Sequence, residues 1–347
     1  MREANLKFAL VSSSDDQGTQ LLSDLAPDLI VPGLRPYRRR GELSSWFTDP
    51  AALAYVERLL ATNRYASIGE FHLYGSDADL EIPRRIVELA EKNNLILHAH
   101  SDMEAVERLL AQSSSVKVLW AHSGFDAPEA ISAMLSKHDR LWADLAFRSD
   151  VGSGGQLSDD WIKLFVEHPD RMMLGTDTYT PERMYFIPEH AEGSRVWLKS
   201  LAPEVAEKVA WKNAHDLIMP VWEANRMKTP SDGCRTSIAD SAIIVSNSPF
   251  VAIEPLRAIS VSQPFSVLVT LCGDVGDDLE VILDAAMPAH GHGMNYSPEH
   301  TVLEQSDTQM KLQVDGLVLH MPGNWQWQLD LSSAGQRREL THDFKVQ

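Results

Sequence analysis

Seven short apolar runs, each handing over to a helical pattern, constrain this chain more than any other feature. They occupy residues 7–12, 29–36, 67–74, 95–101, 116–122, 141–147 and 171–178. Their near-continuous hydrophobicity suits strands covered on both faces. The segments between several of them carry stripes of helical period, such as Leu53, Val56, Leu59 and Leu60 after Asp49 and Pro50. Strand and helix therefore alternate, which predicts an α/β architecture with a parallel sheet. The run LILHAHS at 95–101 is typical: apolar residues lead into His98 and His100, which share one face of an extended strand. Ser101 followed by Glu104 makes a capping-box pattern ahead of Val106, Leu109 and Leu110, so a helix is expected to start at once.

Seven such steps are one short of a (β/α)8 TIM barrel, so the fold expected is a barrel lacking its first strand. The helical pattern from Pro203 to about Arg226 closes this part. Residues 229–240 contain Pro230, Ser231, Asp232 and Gly233 without apolar period and read as a linker. From 241 onward, short β-rich runs at 242–245, 265–271, 279–284, 311–314, 325–331 and 343–346 are separated by turn residues. They predict an all-β, Ig-like antiparallel sandwich. The expected organisation is a barrel at 1–228, a linker at 229–240 and a sandwich at 241–347.

A formal charge of −18 argues against a nucleic-acid backbone as partner, since such binding rests on clustered Lys and Arg. No run of eighteen apolar residues is present to span a bilayer. A small-molecule substrate is the partner expected. Cys234 and Cys272, the only cysteines, imply neither a disulfide framework nor a thiolate zinc site.

Numbered as strands two to eight of a barrel, the runs carry Glu70 on strand four, His98 on five, His122 on six and Asp177 on eight. Strand C-termini converge at a barrel mouth, and imidazole with carboxylate is a donor set for borderline divalent metals such as zinc. His72, His100, Asp144, Arg148, Arg35 and Tyr37 fall near the same mouth and are assigned to support or substrate contacts. An arginine there can hold a carboxylate by a two-pronged hydrogen bond.

Through IGEFHL, LILHAHS, VLWAHSGF and MMLGTDTY, residues 6 to about 225 resemble the amidohydrolase superfamily, in its amidohydrolase-2 branch. The resemblance implies a metal-dependent hydrolase in which metal-bound hydroxide attacks a carbonyl-type substrate. Its implied ligands are an HxH pair on strand one, Lys or Glu on four, His on five and six, and Asp on eight. Glu70, His98, His122 and Asp177 match four of those places, with His122 and Asp177 as the catalytic pair and Asp177 taking the proton. The strand-one HxH has no counterpart, so an upstream segment carrying it, and an export signal, is expected. Without that segment the chain reads as cytoplasmic; with it, as periplasmic or extracellular.

The stretch from Met287 to Met294 places His290 and His292 between two thioethers, and His320 with Met321 adds a second such pair. Thioether with imidazole suits copper, particularly Cu(I). Through DAAMPAHGHGMNY and GLVLHMPGNWQWQLDL, residues from about 250 onward resemble the YtkA-like β-sandwich domains. This resemblance adds weight to copper at His290, His292, Met294, His320 and Met321. Two rivals to the hydrolase reading stand beside it: a non-catalytic copper-binding protein on a degenerate barrel, and a decarboxylase or isomerase on the same barrel.

Overall fold

All seven apolar runs become strands of one parallel sheet. In the computed structural model, the described residues are 1–227, 234, 238–239, 241–247, 250–273, 275, 279–294, 297–306, 308–333 and 336–346. They divide into two units, residues 1–57 with 64–228, and residues 58–63 with 229–347. Most of the expected linker at 229–240 lies outside the described residues.

In the first unit the strands are β1 (Ala9–Val11), β2 (Ile30–Leu34), β3 (Ser67–Leu73), β4 (Ile96–Ser101), β5 (Val118–Trp120), β6 (Leu141–Asp144) and β7 (Met172–Met173). Each pairs in parallel with the next, so sheet order follows sequence order and the sheet curls as a half-barrel. Helices such as Pro50–Thr62, Glu81–Asn93 and Met103–Ala111 make the return crossings. The expected capping box is corrected in detail: β4 runs through Ser101, and Asp102 is the N-cap, its side chain accepting the Ala105 N–H. The helix starts at Met103, one residue later than the pattern implies, so the cap falls on Asp102.

The helix Asn213–Arg226 takes the place of a closed barrel's inner packing. Its Leu217, Ile218 and Val221 share a core with Val31, Ala66, Ile96, Leu119 and Met173, residues drawn from across the sheet. Both ends are pinned by buried asparagines. Asn213 Nδ2 donates to the carbonyls of Pro169 and Met172 at 2.8 Å each, and Asn225 Nδ2 donates to those of Tyr65 at 3.2 Å and Asn94 at 3.3 Å. Across the open side, Arg195 donates to the Ala4 carbonyl, and Lys7 lies 5.8 Å from the Trp211 ring centroid. The sheet edges at β1 and β7 are thus bridged by local segments.

In the second unit, β8 (Ile243–Asn247), β9 (Phe250–Pro255), β10 (Phe265–Cys272), β11 (Glu280–Met287), β12 (His292–Gly293), β13 (Glu299–Ser306), β14 (Gln309–Leu317), β15 (Gly323–Ser333) and β16 (Gln336–Val346) form two antiparallel sheets. Their orders are β13-β14-β10-β9-β8 and β12-β11-β15-β16. Phe265, Leu271 and Val314 from one sheet and Leu283, Trp325, Trp327 and Leu329 from the other make one core, the packing of a sandwich. Cys234 and Cys272 form a disulfide with Cα atoms 5.8 Å apart. This corrects the reading of the cysteines: two residues 38 apart carry no spacing signal, and only the fold brings them together.

Candidate metal centre

Glu70 is aimed by a local irregularity in β3. Pairing with β4 steps from Gly69↔His98 directly to Phe71↔Ala99, so Glu70 is an extra residue in its strand. Gly69 permits this close approach: its φ is +129°, and a Cβ there would lie 2.1 Å from the His98 carbonyl oxygen. The displaced Glu70 N–H is met by Ser12 Oγ at 3.2 Å. Ser12, at the end of the first apolar run, therefore supports the site.

The buried Glu70 carboxylate gathers histidines. Its Oε1 accepts from His100 Nδ1 at 3.1 Å and from His122 Nε2 at 3.3 Å. His72 stacks on His100 with ring centroids 4.0 Å apart, and the donor atoms of Glu70, His72 and His100 all lie within 4.8 Å of one another. Burial favours the neutral acid, yet the hydrogen bonds from His100 and His122 and the nearby charge of His98 and Arg35 hold the Glu70 pKa well below the usual range. Burial likewise opposes charge on His122, but Glu70 and Asp144 prevail and raise its pKa to about 9. For His72, burial and the neighbouring His100 act together and lower the pKa to about 4.

His122 sits in a tight turn after β5. His122, Ser123, Gly124 and Phe125 have φ of 55°, 51°, 63° and 58°, a left-handed run that non-glycine residues adopt only when held. Asp144, at the end of β6, does the holding. Its Oδ1 accepts the N–H groups of His122 at 3.0 Å and Ala146 at 2.9 Å, while Ser123 Oγ donates to its carbonyl at 2.7 Å. Arg148 adds a bond to the His122 carbonyl at 3.2 Å and is otherwise engaged by Asp126 and Asp150, so its fork points into the turn. The His122 ring donates from Nδ1 to the Ala146 carbonyl at 2.8 Å, which turns Nε2 toward Glu70.

His98 and His100, though on one strand face, meet different partners: His98 Nε2 contacts Asp144 Oδ2 at 3.2 Å. Asp177 lines the same cavity, and among the described residues its carboxylate makes no hydrogen bond. Burial and the Glu70 charge raise its pKa. Tyr37 is fully buried, its hydroxyl accepting the His72 N–H at 2.6 Å and lying 3.1 Å from His72 Nδ1. Trp46 Nε1, which sequence reading missed, donates to the His72 carbonyl at 2.9 Å. Arg35 Nη2 lies 3.6 Å from Glu70 Oε2. Glu70, His72, His98, His100, His122, Asp144 and Tyr37 are thus linked in one network, with Arg35 and Asp177 along the cavity wall.

In the second unit, Met287 is buried in the sandwich core, with Met294 and Met321 packed against it. His290 is exposed, and the His292 side chain lies outside the described residues. His320 meets the Trp325 ring edge-on at 5.3 Å, and Trp325 Nε1 donates to the Met321 carbonyl at 3.0 Å.

The sequence profile of one family, described as amidohydrolase, matches residues 42–218, just over half of the chain. No curated protein matches it. Among solved structures, an uncharacterized TIM-barrel protein from Bordetella bronchiseptica is similar at 15% identity and a TM-score of 0.40, covering 59% of this chain and 72% of that one. The matched span runs from the turn that precedes Trp46 to the helix that packs beneath the sheet, and it contains Glu70, the histidines and Asp177: the chain belongs to the amidohydrolase family.

Proposed function

We propose that the first unit is a metal-dependent hydrolase acting on a small carbonyl-type substrate. The observation that carries this reading is the meeting of Glu70 with His100 and His122, beside His72, in a buried network. This donor set, imidazole nitrogens around a single carboxylate, fits a borderline divalent ion such as zinc, which would displace the protons that the imidazoles share with Glu70. Glu70, His98, His122 and Asp177 are the ligands proposed from the strand order, with His100 added by its contact with Glu70. When bound, such an ion polarises a carbonyl and lowers the pKa of water.

The protein's own groups do the rest. Asp177 takes and returns the proton in this reading, supported by its raised pKa and, among the described residues, by a carboxylate without a hydrogen bond. Asp144 and the Ala146 carbonyl fix the orientation of His122, and Tyr37 fixes that of His72. The test is hydrolysis of a panel of esters, lactones and amides by the full-length protein. Activity that is abolished by a chelator, restored by zinc and reduced at least about 100-fold in Glu70→Gln supports the reading. Zinc-loaded protein that hydrolyses none of them, or activity indifferent to the chelator, refutes it.

For the second unit we propose a YtkA-like sandwich with a copper site. Its support is the closeness of two loops: a Cβ at Gly323 would lie 2.8 Å from Met287 Cε, so the segment with Met287, His290, His292 and Met294 adjoins that with His320 and Met321. Thioethers and imidazoles from both loops suit Cu(I). Titration of the full-length protein with Cu(I) under a competing chelator tests it. Binding lost in the double variant Met294→Leu, His320→Ala is expected; binding unchanged in that variant refutes the site.

A further inference from the structure

Arg35, on the loop after β2, has a side chain only 17% exposed. Among the described residues its guanidinium makes no hydrogen bond. Glu70 Oε2 is 3.6 Å away, the Tyr37 ring lies 5.9 Å below, and Nε is buried without a partner. A guanidinium carries five N–H donors in a rigid planar fork, and leaving them buried and unpaired is unfavourable. Two other arginines near the site are engaged: Arg148 by Asp150 and two carbonyls, and Arg183 by the Asp177 carbonyl.

The fork of Arg35 faces a cavity of about 740 Å³, which Glu70, His98, Asp144 and Asp177 also line. That volume is in the range of small-molecule sites. Deeper in, the wall is apolar, formed by Leu10, Leu119, Met173 and Ile218. We propose that Arg35 anchors the carboxylate of a small substrate with an apolar body, bound beside the Glu70 cluster. This assignment deepens the hydrolase reading and rests on it for the chemistry performed there.

Geometry selects the anion. Glu70, Asp144 and Asp177 line the cavity with Arg35, and Lys7, Arg40 and Arg195 lie on its wall as well, so the shape of the Arg35 fork rather than the net charge sets the preference. The planar fork also matches a planar pair of oxygens.

Calorimetric titration of the full-length protein with benzoate, benzamide and inorganic phosphate tests the anchor, in wild type, Arg35→Gln and Arg35→Lys. Benzoate is expected to bind at least about 10-fold more tightly than benzamide and phosphate. Arg35→Gln weakens benzoate about 10- to 100-fold and leaves benzamide unchanged, which also shows that the cavity has kept its shape. Arg35→Lys falls between, since it retains the charge and loses the fork. Benzoate that fails to bind at millimolar concentration, binds no better than benzamide, binds Arg35→Gln as it binds wild type, or is outcompeted by phosphate overturns the proposal. Selective benzoate binding without any ester hydrolysis would uphold the anchor and remove the hydrolase reading. Hydrolysis of neutral esters without benzoate selectivity would do the reverse.

Discussion

Asp144 accepts the backbone N–H of His122 at 3.0 Å, so a carboxylate at the end of β6 holds the turn after β5 that carries the imidazole bonded to Glu70. The bond compensates a backbone that is otherwise unfavourable, because His122 and Ser123 both lie in the left-handed region. It also explains why a residue with no place in the expected ligand set is buried at the centre of the site.

Replacing Asp144 with Ala leaves the His122 and Ala146 N–H groups without their acceptor and His98 without its partner. A loss of about 2–4 kcal/mol in unfolding free energy is expected from two buried donors. Zinc affinity should fall about 10- to 100-fold as the imidazoles lose their orientation. Asp144→Asn, which keeps an oxygen acceptor, should lose markedly less stability. Chemical denaturation and zinc titration of the two variants check this.

Gly69→Ala puts a methyl group 2.1 Å from the His98 carbonyl oxygen at a φ of +129°. Backbone must move, and with it the bulge that aims Glu70. The cost expected is about 3 kcal/mol or more. A melting temperature within a degree of wild type would mean that β3 and β4 do not approach as described.

Glu42 governs the loop that carries Arg35 and Tyr37. Burial disfavours its charge, but the Arg38 side chain, the Arg38 N–H and the Arg39 charge lower its pKa below the ordinary value. A depressed carboxyl contributes stability that is complete above its unfolded pKa, about 4.3, and is lost as pH falls through the folded value. Wild type should therefore exceed Glu42→Gln by about 1 kcal/mol at pH 7, and the gap should close in acid below about pH 4. Paired urea denaturation at the two pH values measures it; a gap that widens in acid contradicts the assignment.

The parallel sheet was legible because strands buried on both faces write themselves as apolar runs, and all seven reappear as β1 to β7. In the sandwich, β13 was invisible since nearly all its residues are exposed, leaving no apolar alternation to read. Also missed was β9, a short strand ending at Pro255. Within the site, strand-end position located Glu70, His98, His122 and Asp177 in one region, but not their partners. Strand parity cannot foresee the extra residue at Glu70, which brings His100 and His122 onto one oxygen. Nor can it assign Asp144, whose part is to accept backbone N–H groups that no side-chain pattern reports.

The Cys234–Cys272 disulfide closes a loop of 38 residues in the second unit and joins Phe250 and Ala252 in a small core. Its removal is expected to cost about 3 kcal/mol, chiefly through the entropy of the unfolded chain. Calorimetric melting of Cys272→Ser, or of wild type with a reductant, should show one transition shifted down by several degrees. Melting unaffected by either change would mean that the thiols are not joined.

The central claim is that Glu70 organises a divalent metal centre in the half-barrel. Elemental analysis of the full-length protein, equilibrated with zinc and passed through a desalting column, tests it most directly alongside Glu70→Ala. About one ion per chain retained through desalting in wild type, removed by a strong chelator and lost in Glu70→Ala, is the expected result for a buried carboxylate and imidazole set. Wild-type protein that retains no zinc, or Glu70→Ala that retains as much as wild type, would contradict it.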